Sequence, residues 1–483
     1  MSRLPALRVR DYRRWWLALL AMQIGLQMLE VAIGWEVYAQ HGSPLDLGWI
    51  GLAEFIPMFV LALPAGHLAD RLPRRLVFAG ALLLGTAVGI GLALLSRSGD
   101  TAVLPYLALA AGAGVTMALG NPAARAMAPT LVPAGVLPSA MTLRSIATQS
   151  GSVAGPALGG LIYAISPTVV YLLTAALCLL ASLSVMSMSS RPAAHAAAQA
   201  GHAAADQTGD SAAAPTGDSA AAQTGDSAAA QAGDGAAGLA GDGLRGGASP
   251  PGLAGVLEGL RFVRRTQILL GAILLDLLAV LFGGAVALLP VFARSILHTG
   301  PAGLGILRAA PAVGALLAAA ALTGRPMSRH AGRTLLLVVG LYGASMIVFG
   351  LSRFYLLSLL ALGVSGFVDM FSMNIRSTTV ALATPDRLRG RVAAVEMVFV
   401  SASNQLGAFE SGLAAFLVGT VPAVVGGGAI TVLIAVTWSR FFPALARVDR
   451  MQDVQPAAEP AVAPVAEPPA VDGRPAGSPA GPR

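Results

Sequence analysis

The chain has 483 residues, of which 55% are hydrophobic and only 11% are charged. Soluble domains carry roughly 25% charged residues, so a soluble globular protein is excluded, and the apolar residues come in runs of about 20, the length that spans a bilayer. The net charge of +7 does not point to nucleic acid, because the arginines sit in short segments between apolar runs, where membrane orientation uses them.

In chain order, Arg3, Arg8, Arg10, Arg13 and Arg14 precede a first span over approximately 15–38. Trp15 and Trp16 open it as interfacial anchors, and the run is too long and too polar for the core of a cleaved signal peptide. Within it, Gln23, Gln27, Glu30 and Gly34 follow helical spacing and make one polar stripe. Further spans are expected at 47–69, which carries Glu54, then at 76–96, 102–126, 139–163, which carries Arg144, and 168–189. Residues 190–252 are rich in Ala, Gly, Asp and Ser, with a near-repeat starting at Thr208, Thr216 and Thr224. With nothing bulky and apolar to bury, this linker is expected to stay unfolded.

A second series follows at 267–291 (with Asp276), 302–323 (with Arg308), 334–351, 354–376, 391–416 and 421–441. Ser365, Asp369, Ser372 and Arg376 share one face of the tenth span, and Glu396, Ser403 and Glu410 recur at seven-residue steps in the eleventh. Ala, Leu, Val and Gly dominate without alternating β-branched runs, so the spans read as helices rather than barrel strands. The predicted class is an all-α integral membrane protein of twelve transmembrane helices in two pseudo-symmetric six-helix bundles. The first bundle covers 1–189, the linker 190–252, the second bundle 253–442, and a Pro/Ala-rich disordered tail 443–483.

Arginine placement sets the expected topology. Arg71, Arg74 and Arg75 lie between spans 2 and 3, Arg325, Arg329 and Arg333 between 8 and 9, and Arg387, Arg389 and Arg391 between 10 and 11, whereas the opposite loops hold only Arg97, Arg294 and Arg353. Both termini and the linker are therefore expected in the cytoplasm, with the protein multi-pass in a cell inner membrane. An internal repeat supports two related halves: Gly51-Leu-Ala-Glu54-Phe-Ile-Pro57 resembles Gly305-Ile-Leu-Arg308-Ala-Ala-Pro311 at an offset of 254, which also sets Asp70-Arg71 on Gly324-Arg325, and Asn121 falls on Asn374 at 253. Parallel repeats with a site between them are a known transporter plan.

The sharpest local signal is Gly66-His-Leu68-Ala-Asp70-Arg71-Leu-Pro73-Arg74-Arg75. It resembles the signature between helices 2 and 3 of the major facilitator superfamily, with Pro73 where glycine is usual. In that family the loop is a gate. Here Asp70 can face the positive N-terminal end of helix 11, near Arg389 and Arg391. In span 5, Gly151-x-x-x-Gly155-Pro156-x-x-Gly159-Gly160 resembles the antiporter motif of facilitator exporters, although Thr142 stands where the long form has glycine. That resemblance implies export, and the small residues allow close packing around a bend at Pro156. Asn121-Pro122-Ala-Ala-Arg125, Arg389-Gly390-Arg391-Val392 and Ser403-Asn404-Gln405-Leu406-Gly407-x-x-Glu410 resemble the bacterial enterobactin-exporter branch.

An ionisable residue at mid-membrane costs about 2.5–3.5 kcal/mol on insertion scales and marks function by default. In the facilitator plan spans 1, 4, 7 and 10 line the central cavity, so Glu30, Asp276 and Asp369 become proton-binding candidates, with Gln27, Arg376 and Glu410 as further candidates toward substrate or proton. A carboxylate in a low-dielectric cavity can load and release a proton at accessible pH. Structural ion pairs of Glu54 or Glu410 with Arg144 or Arg308 are the competing use.

Other chemistries find no support. All basic residues besides His are Arg, so the Gly-Lys-Ser/Thr of a Walker phosphate loop is missing. Cys178 has no partner for an internal disulfide, and the six histidines show no ligand spacing. No enzyme, cofactor or metal site is expected. The expected function is proton-coupled efflux of a small siderophore- or drug-like molecule by alternating access. An importer or uniporter of the same fold, or a non-transporting membrane receptor, is the alternative. Expected partners are the small-molecule substrate, protons and the lipid bilayer, with no nucleic acid, and the chain is expected to be a monomer.

Overall fold

The computed structural model describes residues 5–188, 253–323 and 330–449, without the side chains of residues 62–71, 134, 253, 254, 256 and 323. The expected linker and the tail after Asp449 lie outside the described residues. No strand occurs among those described. A bilayer core offers no water to backbone N–H and C=O groups, so each segment satisfies them internally as a helix. The first set is α1 (Arg10–His41), α2 (Pro44–Arg71), α3 (Arg74–Ser98), α4 (Val103–Met127), α5 (Leu137–Tyr163) and α6 (Pro167–Met186). The second comprises α7 (Leu253–Arg265), α8 (Gln267–Gly283), α9 (Pro301–Thr323), α10 (Ala331–Leu351), α11 (Tyr355–Ala383), α12 (Asp386–Val418), α13 (Thr420–Phe441) and the short α14 (Pro443–Ala446).

Among the described residues, eleven helical spans are long and apolar enough to cross a membrane. The segment α5 is not one of them, although its 27 residues reach about 40 Å at the helical rise, enough for a hydrocarbon core of about 30 Å. Arg144, Gln149 and a succession of Ser and Gly dilute its apolarity. Its neighbours explain the composition: α5 packs against α1 and α9, and Arg144 is buried.

Three features depart from the simple span pattern. The chain from α8 breaks at Gly283–Gly284 and continues in short helical turns to Ile296, beyond the expected end at 291. Ahead of α8, the amphipathic α7 buries Phe262 and Val263 against Leu388 and Val392 of α12 and leaves Arg261, Arg264 and Arg265 exposed. Past α13, α14 turns back and buries Leu445, and the N–H groups of Ala331 and Gly332 donate to the carbonyls of Asp449 and Val448 at 3.2 and 3.0 Å. The packed chain thus runs on through residues 443–449.

Helices α1–α6 pack on one another, as do α8–α13, and the two sets meet mainly along α5 with α9 and α2 with α12. The contacts are uneven along the axis. At the end carrying the α1–α2, α5–α6 and α12–α13 turns, one buried apolar core runs through both sets, joining Val37 and Tyr106 to Leu288, Phe292 and Leu304. At the opposite end the buried cores separate: one holds Tyr12, Trp15, Phe78 and Val185 of the first set, and two others hold residues of the second set alone. The seam is closed by small residues. Gly48 lies against Phe409 and Gly412, and Gly160 lies against Gly305 and the Pro301 carbonyl. Across it the hydroxyls of Tyr38 and Ser295 are 2.8 Å apart.

A Cβ at Gly160 would collide with the Pro301 carbonyl, whereas one at Gly80 would meet nothing within 4 Å. Gly160→Leu is therefore expected to lower the thermal midpoint in detergent, by overpacking worth about 1–3 kcal/mol, while Gly80→Leu leaves it unchanged. Heating followed by size-exclusion chromatography reads both, and equal midpoints would contradict the seam described.

Candidate functional site

Between the two sets lies a cavity of about 440 Å³. Its charged lining comes from four helices: Glu30 of α1, Glu54 of α2, Arg308 of α9 and Asp369 of α11, with Tyr342 of α10 and Asn404 and Gln405 of α12 as polar neighbours. The remainder is mostly apolar, including Ile50, Val280, Pro290, Met346 and Leu362. Arg308 forms an ion pair with Glu30 across the two sets. Glu54 lies within electrostatic range of both. Arg308 thus takes Glu30 rather than Glu54 or Glu410 as its direct partner. The repeat that aligns Glu54 with Arg308 now has a physical counterpart, since equivalent positions on α2 and α9 bring opposite charges to one cavity.

A second charged cluster is buried in the second set. Arg376 of α11 pairs with Asp276 of α8, and its Nε lies 3.9 Å from Glu396 Oε1 of α12. Arg376, Asp276 and Glu396 are 6%, 8% and 3% exposed. Asp369 precedes Arg376 by two turns, within electrostatic range of Asp276 and Arg376, and lines the cavity. One guanidinium therefore faces three carboxyl groups. Asp276 and Arg376 bind each other away from the cavity lining. Gln27 and Glu410 also lie outside that lining: Gln27 seats against Gly155, and Glu410 is half-buried beside Ser411.

The antiporter-like motif divides its labour. Gly151, Gly155 and Gly159 bring α5 onto Gln23, Gln27 and Met28 of α1, while Pro156 and Gly160 contact Gly305 of α9. In the loop signature, the side chains of Gly66, Asp70 and Arg71 lie outside the described residues. Arg74 donates to the Ala126 carbonyl at 3.0 Å, and Arg75 donates to the carbonyls of Met186 and Met188, tying the start of α3 to the ends of α4 and α6. Arg389 pairs with Asp386 at 2.7 Å and Arg391 with Glu258 of α7 at 2.5 Å.

One polar centre has no local sequence signal. Glu36 is buried in α1 and accepts hydrogen bonds from Tyr106 and Tyr171, residues 70 and 135 positions away. Glu36 lies off the stripe through Gln27 and Glu30, and partners so distant in sequence become neighbours only through packing.

A two-set helical bundle enclosing a charged central cavity defines the class as a membrane transporter. The family model described as Major Facilitator Superfamily matches residues 15–409, and the chain belongs to that superfamily. It is 26% identical over 394 residues to the multidrug efflux pump Tap of Mycolicibacterium fortuitum, covering 79% of this chain and 83% of that protein. To the enterobactin exporter EntS of Citrobacter koseri it is 24% identical over 428 residues, covering 87% and 89%. Among solved structures, a POT family transporter in complex with a thioalcohol-conjugated peptide superposes with a TM-score of 0.64 at 12% identity, covering 90% of this chain and 96% of that one. The inward-open xylose transporter XylE of E. coli superposes at 0.59 and 13% identity, covering 91% and 98%. The fold is the major facilitator fold, and the protein is a multi-pass membrane transporter.

Removing Arg376 would strand Asp276 and Glu396 in the interior. Arg376→Leu is expected to cost about 3–5 kcal/mol, seen as a large fall in thermal midpoint, and the triple variant Arg376→Leu/Asp276→Leu/Glu396→Leu should recover much of it. Recovery would identify the loss as unpaired charge rather than lost packing.

Proposed function

We propose that this protein exports a drug-sized organic cation in exchange for protons by alternating access. The observation that carries the reading is the cavity between the two helix sets, where, among the described lining residues, Glu30, Glu54 and Asp369 outnumber the single cation Arg308 on an otherwise mostly apolar wall. Its volume of about 440 Å³ suits a drug-sized molecule. An apolar body with an amine or quaternary nitrogen complements such a lining, favouring a drug-like cation over an anionic siderophore. The similarity to Tap and EntS, both named as exporters, supports efflux as the direction.

In this reading α5 is the twelfth crossing, the membrane is the inner membrane, and both termini lie in the cytoplasm. Residues 1–189 and 253–442 are then two pseudo-symmetric halves joined by the linker at 190–252. The sealed α1–α2 end faces the periplasm, and the end where the cores separate faces the cytoplasm. Substrate enters from the cytoplasm and displaces Arg308 from Glu30. The halves then rock, with the glycine seam parting and the Asp70–Arg71 loop, carried over from the family signature, closing the cytoplasmic end. Protons return on the cavity acids, with Asp369 drawing on the cluster around Arg376.

Inverted vesicles acidified inside and loaded with purified protein should accumulate ethidium only while the pH gradient lasts. Glu30→Gln is expected to weaken ethidium binding by about tenfold, the loss of one charged contact of roughly 1.5 kcal/mol. Asp369→Asn should keep binding but lose gradient-driven uptake. Accumulation that ignores the gradient, or wild-type activity in both variants, would refute the proposal.

A further inference from the structure

At the end where the buried cores separate, a groove of about 750 Å³ opens in the second set between the start of α10, the end of α13 and the segment after α14. Arg333 and Leu336 line it from α10, Ser439 from α13, and Arg447 and Asp449 from beyond α14, with His330 just ahead of α10. Its walls are tied together by hydrogen bonds. The first N–H groups of a helix have no partner within it. Here the N–H of His330 donates to Asp449 Oδ1 at 3.1 Å, and those of Ala331 and Gly332 donate to the Asp449 and Val448 carbonyls at 3.2 and 3.0 Å. Gly332 lies so close to the Leu445 carbonyl that a Cβ would collide with it. The Asp449 carboxylate is thus committed to the start of α10, and His330 Nε2 lies 3.5 Å from the same oxygen. The two arginines are the opposite case. Arg333 and Arg447 are exposed, and among the described residues neither forms an ion pair.

The surroundings of the groove decide which anion suits it. Along α10, Arg333 is followed at steps of four by Leu337 and Leu341, and along α13, Val436 precedes Ser439 by three, so each series keeps to one helix face. Leu337, Leu341 and Val436 are exposed on helices that span the membrane, where they meet lipid tails. A charged groove therefore passes into an apolar stripe within about one helical turn, or about 5.4 Å. A soluble phosphate or nucleotide would use only the charged part. A phospholipid carries a phosphodiester joined to hydrocarbon on this scale. The guanidinium fork matches two phosphate oxygens and is weakly hydrated, which suits the membrane interface. A zwitterionic head group would set its own cation against two unpaired arginines, and an anionic one would not.

We propose that this groove binds an anionic phospholipid, with its phosphodiester between Arg333 and Arg447 and its acyl chains along Leu337, Leu341 and Val436. The Ser439 hydroxyl is a further donor to the head group. The lipid bridges α10, α13 and the segment after α14, and a ligand that binds only the folded form stabilises it. The site is separate from the central cavity and independent of what is transported or in which direction.

The test heats purified full-length protein in detergent with increasing phosphatidylglycerol, phosphatidylcholine or inorganic phosphate at matched ionic strength, and reads the thermal midpoint by size-exclusion chromatography. Phosphatidylglycerol is expected to raise the midpoint to a plateau, and the other two are not. Arg333→Ala and Arg447→Ala should each raise the half-saturating phosphatidylglycerol concentration about tenfold, the loss of one charged contact. The double variant should lose the rise, while Arg97→Ala, exposed at the opposite end, responds as wild type. Should the double variant not fold, Arg447→Glu decides, since a negative charge at this exposed position should abolish the rise by itself. Three results would overturn the proposal. Phosphatidylcholine matching phosphatidylglycerol would mean a site blind to head-group charge. Inorganic phosphate reproducing the rise would mean a free-anion site. A wild-type rise in the double variant or in Arg447→Glu would place the lipid elsewhere.

Discussion

Everything in this molecule depends on how closely two apolar helix sets approach at one end. In lipid, burying leucine against leucine provides little drive, so helices associate where small residues let backbones meet. Gly160 against Gly305 and Gly48 against Gly412 supply that contact on opposite flanks of the bundle. With the sets joined there and their cores separate at the other end, a cavity remains between them. Large side chains at these positions would hold the sets apart and leave no closed end.

The same seam explains why α5 is poor in apolar residues. A helix with protein on two sides gains nothing from leucine there, and three of its glycines serve α1 while Gly160 serves α9. One motif thus secures both a packing contact within the first set and a contact between sets. If export requires the far end to stay tight while substrate waits inside, this is where that tightness resides.

Among the described residues, three groups of charged side chains differ in chemistry. Glu30, Glu54 and Arg308 face the cavity, where a ligand can compete for them. Arg376, Asp276 and Glu396 are enclosed, so Arg376 cannot leave without exposing its partners to an apolar interior. Glu36 is held, among the described residues, by two phenols. Ion pairs of this kind are weak sources of stability.

Much was legible from the sequence. Apolar runs located nearly all the helices, because a span must be about 20 apolar residues long wherever it packs. The repeat relating Glu54 to Arg308 and the glycine motif of α5 were visible because each is local or periodic. The amphipathic α7 was missed as a helix because its 13 residues are too few to register as a crossing. The break at Gly283–Gly284 was missed because an apolar run continues through it. Pairing is another matter. Arg308 chose Glu30 over Glu54 and Glu410, Arg376 turned to Asp276 and Glu396, and Glu36 found two tyrosines. Hydropathy and spacing depend only on the order of residues along one helix, so the sequence alone determined the spans and the kinds of charge they carry. Which charges meet depends on helix rotation and on contacts between sets, and only the tertiary structure decided that.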